Sequence, residues 1–290
     1  MFSRFSSLAL AISIVASVFV STQANAFGND RLSIGGFLSQ GYIHTSGNNF
    51  LGNTLDGSFD FTEAGLNLHY QAHERASISV QLLHRDVGDF EYNGDNLALD
   101  YGFAGFSLLT METIEVGLKL GRVKVPLGLY NETRDVPSTK PGVLLPLIMY
   151  SEYDRNNQLA LNGGSLDTQF RSRFGDFRIN FTRGKMQLSH KELITGITGD
   201  TYYPGKIDQQ MNSILNLIYF SPDGSLRLSS TLIDTTTHFY YYIDSVPNFL
   251  YEFFAGYKHF SRVQSVAWYR QNWAWVFEYA QTDIEENTYM

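Results

Sequence analysis

Polar and apolar residues alternate one by one along several stretches of this 290-residue sequence. In residues 64–71 every even position is apolar and every odd position is small or polar, and residues 77–82, 177–182 and 226–229 show the same alternation. Successive side chains of a β-strand point to opposite faces, so each stretch has one apolar and one polar face. The pattern therefore predicts an all-β fold whose strands have an apolar environment on one side and water on the other.

The connections between the predicted strands alternate in length. Long polar loops such as 46–57 and 189–210 follow the odd-numbered strands, whereas tight turns such as 72–75 and 271–272 follow the even-numbered ones. Outer-membrane barrels have short turns at one end and long loops at the other, so the alternation favours a transmembrane antiparallel up-and-down β-barrel. We expect eleven strands, at 31–44, 59–71, 76–90, 97–109, 113–125, 157–170, 176–187, 211–220, 225–235, 258–270 and 273–283.

Composition argues against the main alternative, a soluble β-sandwich. Charged residues make up only 17% of the chain, below the usual ~25% of soluble proteins. A sandwich is also expected to carry more Lys and Glu on its wet face and to have more even connections. Aromatic residues gather near the predicted strand ends, as interfacial girdles require; they are Phe59, Phe61, Tyr101, Phe220, Trp268, Trp273 and Trp275.

The amino terminus has the order of segments found in a secretory signal peptide. Arg4 supplies the positive charge, residues 8–20 are apolar, and Ala24-Asn25-Ala26 is a small-x-small cleavage pattern. A retained signal anchor is the alternative, but about 13 apolar residues are fewer than the ~20 that a spanning helix needs. We expect a signal peptide at 1–26 and an outer-membrane barrel at 27–290.

The predicted strand number is odd, whereas single-chain bacterial barrels have even numbers of strands. Residues 283–290 read as a loop and not as a closing strand. Either a twelfth strand lies within 238–257, or the chain stops short of a closed barrel. We favour the second interpretation, an incomplete barrel with 11–12 strands present.

Four of the seven prolines lie between positions 126 and 146, within a long irregular segment at 126–156. Its apolar run at 143–148 would be costly on a loop that faces water. We therefore expect the segment to fold into the barrel and narrow the lumen.

Residues 121–135, GRVKVPLGLYNETRD, resemble the strand-to-loop signature of Gram-negative outer-membrane porins. The similarity is strongest over 113–156 and is to the group loosely related to phosphate-selective porins. The resemblance implies a sixteen-stranded barrel around a water-filled pore, passive diffusion of small hydrophilic solutes and ions, and a homotrimer in outer-membrane lipid. Relative to that pattern the chain lacks roughly the last five strands of sixteen.

Strand phase assigns charged residues to the pore, because a charge that faces lipid at the membrane midplane costs ~2–4 kcal/mol. We expect a bulge at Gly121 that turns Arg122 and Lys124 toward the lumen. With residues of the 126–156 segment these two give a mixed constriction and a weak anion preference. The alternative is that each charge only forms an ion pair that rigidifies the loop. The predicted constriction set is Arg122, Lys124, Glu132, Arg134, Asp135 and Lys140, and the predicted pore lining includes Glu63, His69, Arg85, Lys119, Arg178 and Arg183.

Signals for chemistry are sparse. The chain has no Cys, and it contains no Gly-x-Ser-x-Gly or His-Glu-x-x-His motif. A net charge of −8 argues against nucleic acid as a partner. We predict no catalytic residues, no metal and no cofactor, and a protein that is not an enzyme. The alternative function is a closed twelve-stranded barrel that serves as an enzyme or adhesin through its external loops.

Overall fold

The structure is a computed structural model, and it describes residues 24–50, 52–87, 97–136, 139–140, 142, 144–147, 149–150, 155–186, 205–246 and 249–289. The described chain is almost entirely β-structure, with one 3-10 turn at Asn131–Thr133 and one short helix, α1, at Arg155–Leu159. No helix in these ranges is long and apolar enough to cross a membrane. The strands are β1 Ala24–Asn29, β2 Leu32–Gln40, β3 Phe61–His73, β4 Ala76–Val87, β5 Ala98–Thr110, β6 Ile114–Lys124, β7 Ala160–Ser172, β8 Gly175–Met186, β9 Gly205–Gln209, β10 Asn212–Phe220, β11 Leu226–Val246, β12 Phe249–Arg270 and β13 Trp273–Tyr289.

All thirteen strands belong to one antiparallel sheet. Strands β1 to β8 and β10 to β13 follow one another in chain order, and β9 pairs with the outer part of β11. Neighbours in sequence are therefore neighbours in space, and the predicted antiparallel up-and-down all-β fold is confirmed. In the described sheet β1 and β13 form the two edges.

The eleven predicted strands are all present, and the structure adds β1 and β9. The prediction of a loop at 283–290 is wrong, because β13 continues to Tyr289 in regular pairing with β12. The described residues of the region 238–257 form no separate strand. They form instead the outer ends of β11 and β12, which pair from Thr237 with Tyr257 to Val246 with Phe249.

The predicted signal peptide falls mostly outside the described residues. Residues 1–23 are not described, and β1 begins at Ala24, within the predicted signal. The pairs that β1 makes from Phe27 onward, with Ile34, Ser33 and Leu32, use only residues on the mature side of the predicted cleavage point.

Tight turns close one end of the sheet, as expected. The turn between β10 and β11 is fixed by Asp223, whose carboxylate accepts hydrogen bonds from Ser221 Oγ at 2.6 Å and from Ser225 N at 3.1 Å. These hydrogen bonds lower the pKa of Asp223 to about 2, because they stabilise its ionised form. The long connections, including the one between β6 and β7, lie at the other end of the sheet.

The alternation of each strand separates an inner face from an outer one. On β8, Phe177, Ile179 and Phe181 are exposed on the outer face, whereas Thr182 is completely buried on the inner face. On β4, Ile78 is outward and Leu83 is buried inward. The outer face therefore carries exposed apolar side chains, and the inner face combines polar groups with the buried core.

The expected bulge at Gly121 is not present. Pairing of β6 with β5 and with β7 runs through Gly121 without a shift, so Lys119 and Val123 keep the same inner phase. A register shift occurs instead in β5, where Leu99 pairs with Leu82 and Tyr101 with Gln81. That shift leaves one extra residue, Asp100, which is completely buried.

Gly121 has a different structural role, because its φ is +136° and its position is crowded. A Cβ there would lie 2.4 Å from the Gly102 carbonyl oxygen and 2.9 Å from Phe103 Cα. Both neighbours are backbone atoms of β5, which cannot move without breaking the pairing. Only glycine fits this position without strain.

We expect Gly121→Ala to reduce the free energy of unfolding by about 1–3 kcal/mol, because the change combines backbone strain with a backbone clash. Urea unfolding in detergent micelles, followed by far-UV circular dichroism, measures the change. Gly35→Ala is the matched control, since a Cβ at this strand glycine would have no atom within 4 Å. Equal losses for the two variants would contradict the assignment.

Candidate functional site

The connection between β6 and β7, residues 125–159, is called here the inner loop, because its described residues pack against the inner face of the sheet. Leu145 and Met149 are buried in one cluster that also contains inward residues of four strands. At another point Leu144 packs against Ile43 and Phe61. The strand residues of the first cluster are Val123, Leu161, Ile214 and Val263.

A tyrosine and a glutamate fix the start of the inner loop to β13. The Tyr150 hydroxyl accepts hydrogen bonds from Leu129 N at 2.9 Å and Tyr130 N at 3.1 Å, and it donates to Glu278 Oε1 at 2.8 Å. The same Glu278 oxygen accepts from Leu129 N and from Ser265 Oγ, at 3.0 and 2.9 Å. One carboxylate therefore ties together two strands and both halves of the loop.

Gly128 makes this arrangement possible. Its φ is +58°, and a Cβ at this position would lie 2.4 Å from the Tyr150 hydroxyl and 2.6 Å from Glu278 Oε1. The absence of a side chain lets the loop backbone approach both groups.

A second attachment is ionic and largely buried, with the Lys124 and Arg155 side chains 9% and 3% exposed. The Asp135 carboxylate contacts both Lys124, at the end of β6, and Arg155, at the start of α1. Lys124 also pairs with Asp100 at 2.8 Å. Both carboxylates are inaccessible to solvent, so each of these charges is compensated by a neighbour and not by water.

A third attachment joins the inner loop to β3 and β4. Glu63 on β3 pairs with Arg85 on β4 at 2.6 Å and with Lys140 of the loop at 2.9 Å. All three side chains are at least 94% buried.

Arg134 is likewise buried, and it donates to Asn131 Oδ1 and to the Tyr150 carbonyl oxygen at 3.2 and 3.3 Å.

These attachments show that the sheet curls around the inner loop. Glu63 and Glu278 lie on β3 and β13, which are nine steps apart in the strand order. In a flat sheet the two strands would be about 43 Å apart, at ~4.8 Å per step. Both carboxylates bind the loop between Leu129 and Tyr150, so the loop occupies the interior of a curved wall.

Beside the inner loop the wall encloses two adjoining cavities, of about 690 Å³ and 220 Å³. Glu132, Lys119 and Phe103 line both of them. Lys119 pairs with Asp167 at 3.1 Å and lies over the Phe103 ring, whereas Glu132 is exposed. The charged residues of the larger cavity are Glu74, Arg75, Glu115, Lys119, Glu132, Asp167 and Arg178.

The predicted pore-lining residues fall into three groups. His69, which hydrogen-bonds Ser79 Oγ at 2.9 Å, lines the larger cavity together with Lys119 and Arg178. Glu63 and Arg85 also face inward, but they are buried beneath the inner loop. Arg183 does not line the lumen: it is exposed on the outer face, in phase with Phe181.

The placement of Arg183 corrects the argument that assigned it to the pore. A charge on the outer face costs ~2–4 kcal/mol only at the membrane midplane and ~0–1 kcal/mol near the interface. Because Arg183 is close to the long-loop end of β8, the midplane cost does not apply to it.

The predicted constriction set also divides. Lys124, Arg134, Asp135 and Lys140 are buried and hold the loop to the wall, and Glu132 faces the cavities. Arg122 is in the phase of the outer face, opposite the exposed Asn162, and its Nε donates to the Asp100 carbonyl oxygen at 3.0 Å.

Three important residues are absent from the predicted set: Asp100, Tyr150 and Glu278. Alternation on the last strand signals Glu278, because the aromatic residues Trp275, Phe277 and Tyr279 take the other face. Alternation also signals Asp100, because it lies two residues after the buried Ala98 and therefore has the same inner phase. No local pattern signals Tyr150, since its partners are distant in sequence.

No family model matches the chain, and no curated protein matches it. Among solved structures the chain is similar to OmpTΔL8, the loop L8 deletion mutant of OmpT, an outer membrane protein of Vibrio cholerae. The identity is 9% and the TM-score is 0.33, and the match covers 89% of this chain and 97% of that chain.

The prediction that the chain is not an enzyme is wrong, because the observations do not exclude enzymatic activity. It rests on absent motifs alone, and the absence of a known motif does not exclude enzymatic activity. The chain is therefore not excluded from the enzymes. Among the described residues no group of three or more His, Asp or Glu side chains is placed to hold a metal ion.

We expect Tyr150→Phe to reduce the free energy of unfolding by about 1–3 kcal/mol, because it removes the acceptor of the Tyr130 amide, one of the two acceptors of the Leu129 amide, and the hydroxyl that donates to Glu278. It should also make the inner loop more susceptible to limited proteolysis. Tyr130→Phe is the control, since the Tyr130 ring meets Tyr150 edge-on and no carboxylate binds its hydroxyl among the described residues. A wild-type cleavage pattern for Tyr150→Phe would contradict this role.

Proposed function

We propose that the chain forms the wall of an outer-membrane β-barrel and that small hydrophilic solutes and ions diffuse passively through its lumen. The inner loop narrows that lumen. The proposal includes export by the signal peptide at 1–26 and the porin-like assembly that the sequence resemblance implies, including a homotrimer. The observation that carries it is the curled sheet, which has an apolar outer face and a charged, water-accessible interior.

The outer face supports placement in a membrane. Along β8 the outward side chains from Phe177 to Phe181 are 41–46% exposed although all are apolar. At the tight-turn end, Trp273 and Trp275 stack with ring centroids 6.2 Å apart and are 67% and 61% exposed. Exposed apolar surface of this extent is unfavourable in water, and aromatic residues at its border are typical of membrane interfaces.

The interior supports passage of hydrophilic solutes. The inner loop lies against the inner face of the wall, and it leaves a cavity of about 690 Å³ next to it. The lining mixes acidic and basic groups with hydroxyls and amides such as Ser77, Ser79 and Asn180. Such a surface replaces part of the hydration of a passing ion or sugar. For the wall to conduct, the backbone N–H and C=O groups at the edges of β1 and β13 must also be hydrogen-bonded, because the hydrocarbon of the membrane offers them no partners.

The charge preference differs from the one that the sequence suggested. Lys124 and Lys140, which suggested an anion preference, are each compensated by buried carboxylates. Lys119 is paired with Asp167. At the point where the two cavities adjoin, Glu132 is the charged residue that forms no ion pair with any described residue. We propose a weak cation preference that is set by Glu132.

Planar-bilayer recordings across a salt gradient test both statements. Glu132→Gln should shift the reversal potential toward anions and Lys119→Gln toward cations. Each shift should correspond to an about twofold to fivefold change in permeability ratio, because a unit charge at ~4 Å in water is worth about 1 kcal/mol.

Glu112→Gln, in the exposed turn between β5 and β6, is the control and should leave the reversal potential unchanged. If the folded protein carries no current, diffusion is the wrong activity. If it conducts but the two lumen variants shift in the same direction, the assignment of Glu132 is wrong.

A further inference from the structure

Two basic side chains follow the apolar residues on the outer face of β8. Arg183 and Lys185 continue the outward phase of Phe177, Ile179 and Phe181, and both are exposed. The backbone positions of two residues in the same phase are about 7 Å apart along a strand. Both long side chains can therefore reach one ligand in front of the sheet.

Neither cation has an ion-pair partner among the described residues. The cross-strand neighbours of Arg183 are Gly164 and Ser213, and that of Lys185 is Asn162. The nearest carboxylate along this line of cross-strand partners is Asp234, which pairs with Ser213. It lies two strands from Arg183, or about 10 Å at the usual strand spacing. Within the described part of the outer face, these two positive charges therefore lie beside each other without a compensating carboxylate.

Another cation on the outer face behaves differently. Arg262 on β12 is half exposed, and it pairs with Asp283 on β13 at 3.2 Å. The sheet therefore compensates an outward arginine in one place and leaves Arg183 and Lys185 uncompensated in another.

The two residues also lie at a particular height. β8 begins at Gly175, next to the tight turn, and Lys185 is ten residues further along. At ~3.4 Å per residue and a tilt of ~40°, Arg183 and Lys185 are about 21 and about 26 Å above the tight-turn end, near the upper border of an apolar band ~25 Å tall. Charged side chains are costly at the midplane of a membrane and nearly free of cost at its interface.

We propose that Arg183 and Lys185 bind the phosphate group of an anionic lipid in the leaflet at the long-loop end of the barrel. The guanidinium donates two parallel hydrogen bonds to phosphate oxygens, and the ammonium adds a point charge. The exposed side chains of Phe181 and Leu166, directly below Arg183, contact the acyl chains of the same lipid. The inference rests on the membrane placement in the proposed function and not on conduction.

The test compares binding of bisphosphorylated lipid A and of the same lipid with its phosphates removed. Full-length protein in neutral detergent is titrated with each lipid, and retained lipid is counted by native mass spectrometry. Wild-type protein should bind the phosphorylated lipid more tightly. Arg183→Gln/Lys185→Gln should lose roughly thirtyfold in affinity for it, and each single variant roughly fivefold.

Arg262→Gln is the matched control, because it removes an outer-face arginine that is already paired, and it should bind as wild type does. Circular dichroism and heat-dependent gel mobility confirm that each variant is folded. If the double variant does not fold, the two single variants and the comparison of the two lipids in wild-type protein still test whether Arg183 and Lys185 bind the lipid phosphate.

Three outcomes would overturn the proposal: equal binding of the two lipids by wild-type protein, an equal loss in the control, or complete displacement of the lipid by excess inorganic phosphate. A protein that conducts but shows no lipid preference contradicts only this site. A protein that prefers the phosphorylated lipid but carries no current contradicts only the diffusion activity.

Discussion

Charged groups buried between the inner loop and the wall determine the shape of this protein. Asp135 compensates Lys124 and Arg155, and Glu63 compensates Arg85 and Lys140, all with little access to water. Removing one member of a buried pair leaves an uncompensated charge, which typically costs 3–5 kcal/mol. The loop therefore cannot leave the interior without exposing or isolating several charges at once, and the curvature of the sheet depends on its remaining there.

Because most cations of the inner loop are paired with buried carboxylates, they have little influence on the electrostatic potential of the interior. A cation that forms two short contacts with carboxylates contributes little to the electrostatic potential in the cavities, because the opposite charges cancel at a distance. The electrostatic character of the interior depends instead on the few groups that remain accessible, above all Glu132 and the Lys119–Asp167 pair. Counting basic residues in the loop sequence therefore predicts an anion preference, whereas the accessible groups favour the cation preference proposed here.

Strand periodicity made much of the fold predictable. Eleven strands and the inner phase of Glu63, His69 and Lys119 follow from alternation, because side-chain direction along a strand is a local property. The same phase rule, applied strictly, puts Arg183 outward. Only the assumption that the midplane cost of a charge holds over the whole height of the membrane puts it in the pore. The partner of Lys140 could not be predicted, since Glu63 on β3 meets the inner loop only through the curvature of the sheet. Lys124 meets Asp100 because a bulge in the neighbouring strand β5 leaves Asp100 unpaired in the ladder.

The contact between Tyr150 and Glu278 has a consequence for the order of assembly. The two residues are 128 positions apart, whereas each hairpin of the wall pairs segments that are close in sequence. Local hairpins form quickly, and closure of a long chain segment comes later because its entropic cost is larger. Once β12 and β13 have paired, they cover the start of the inner loop, and a loop segment still outside would have to move past strands that are already packed. The inner loop must therefore take its position before β12 and β13 pack over it, and it then serves as the surface against which these strands assemble.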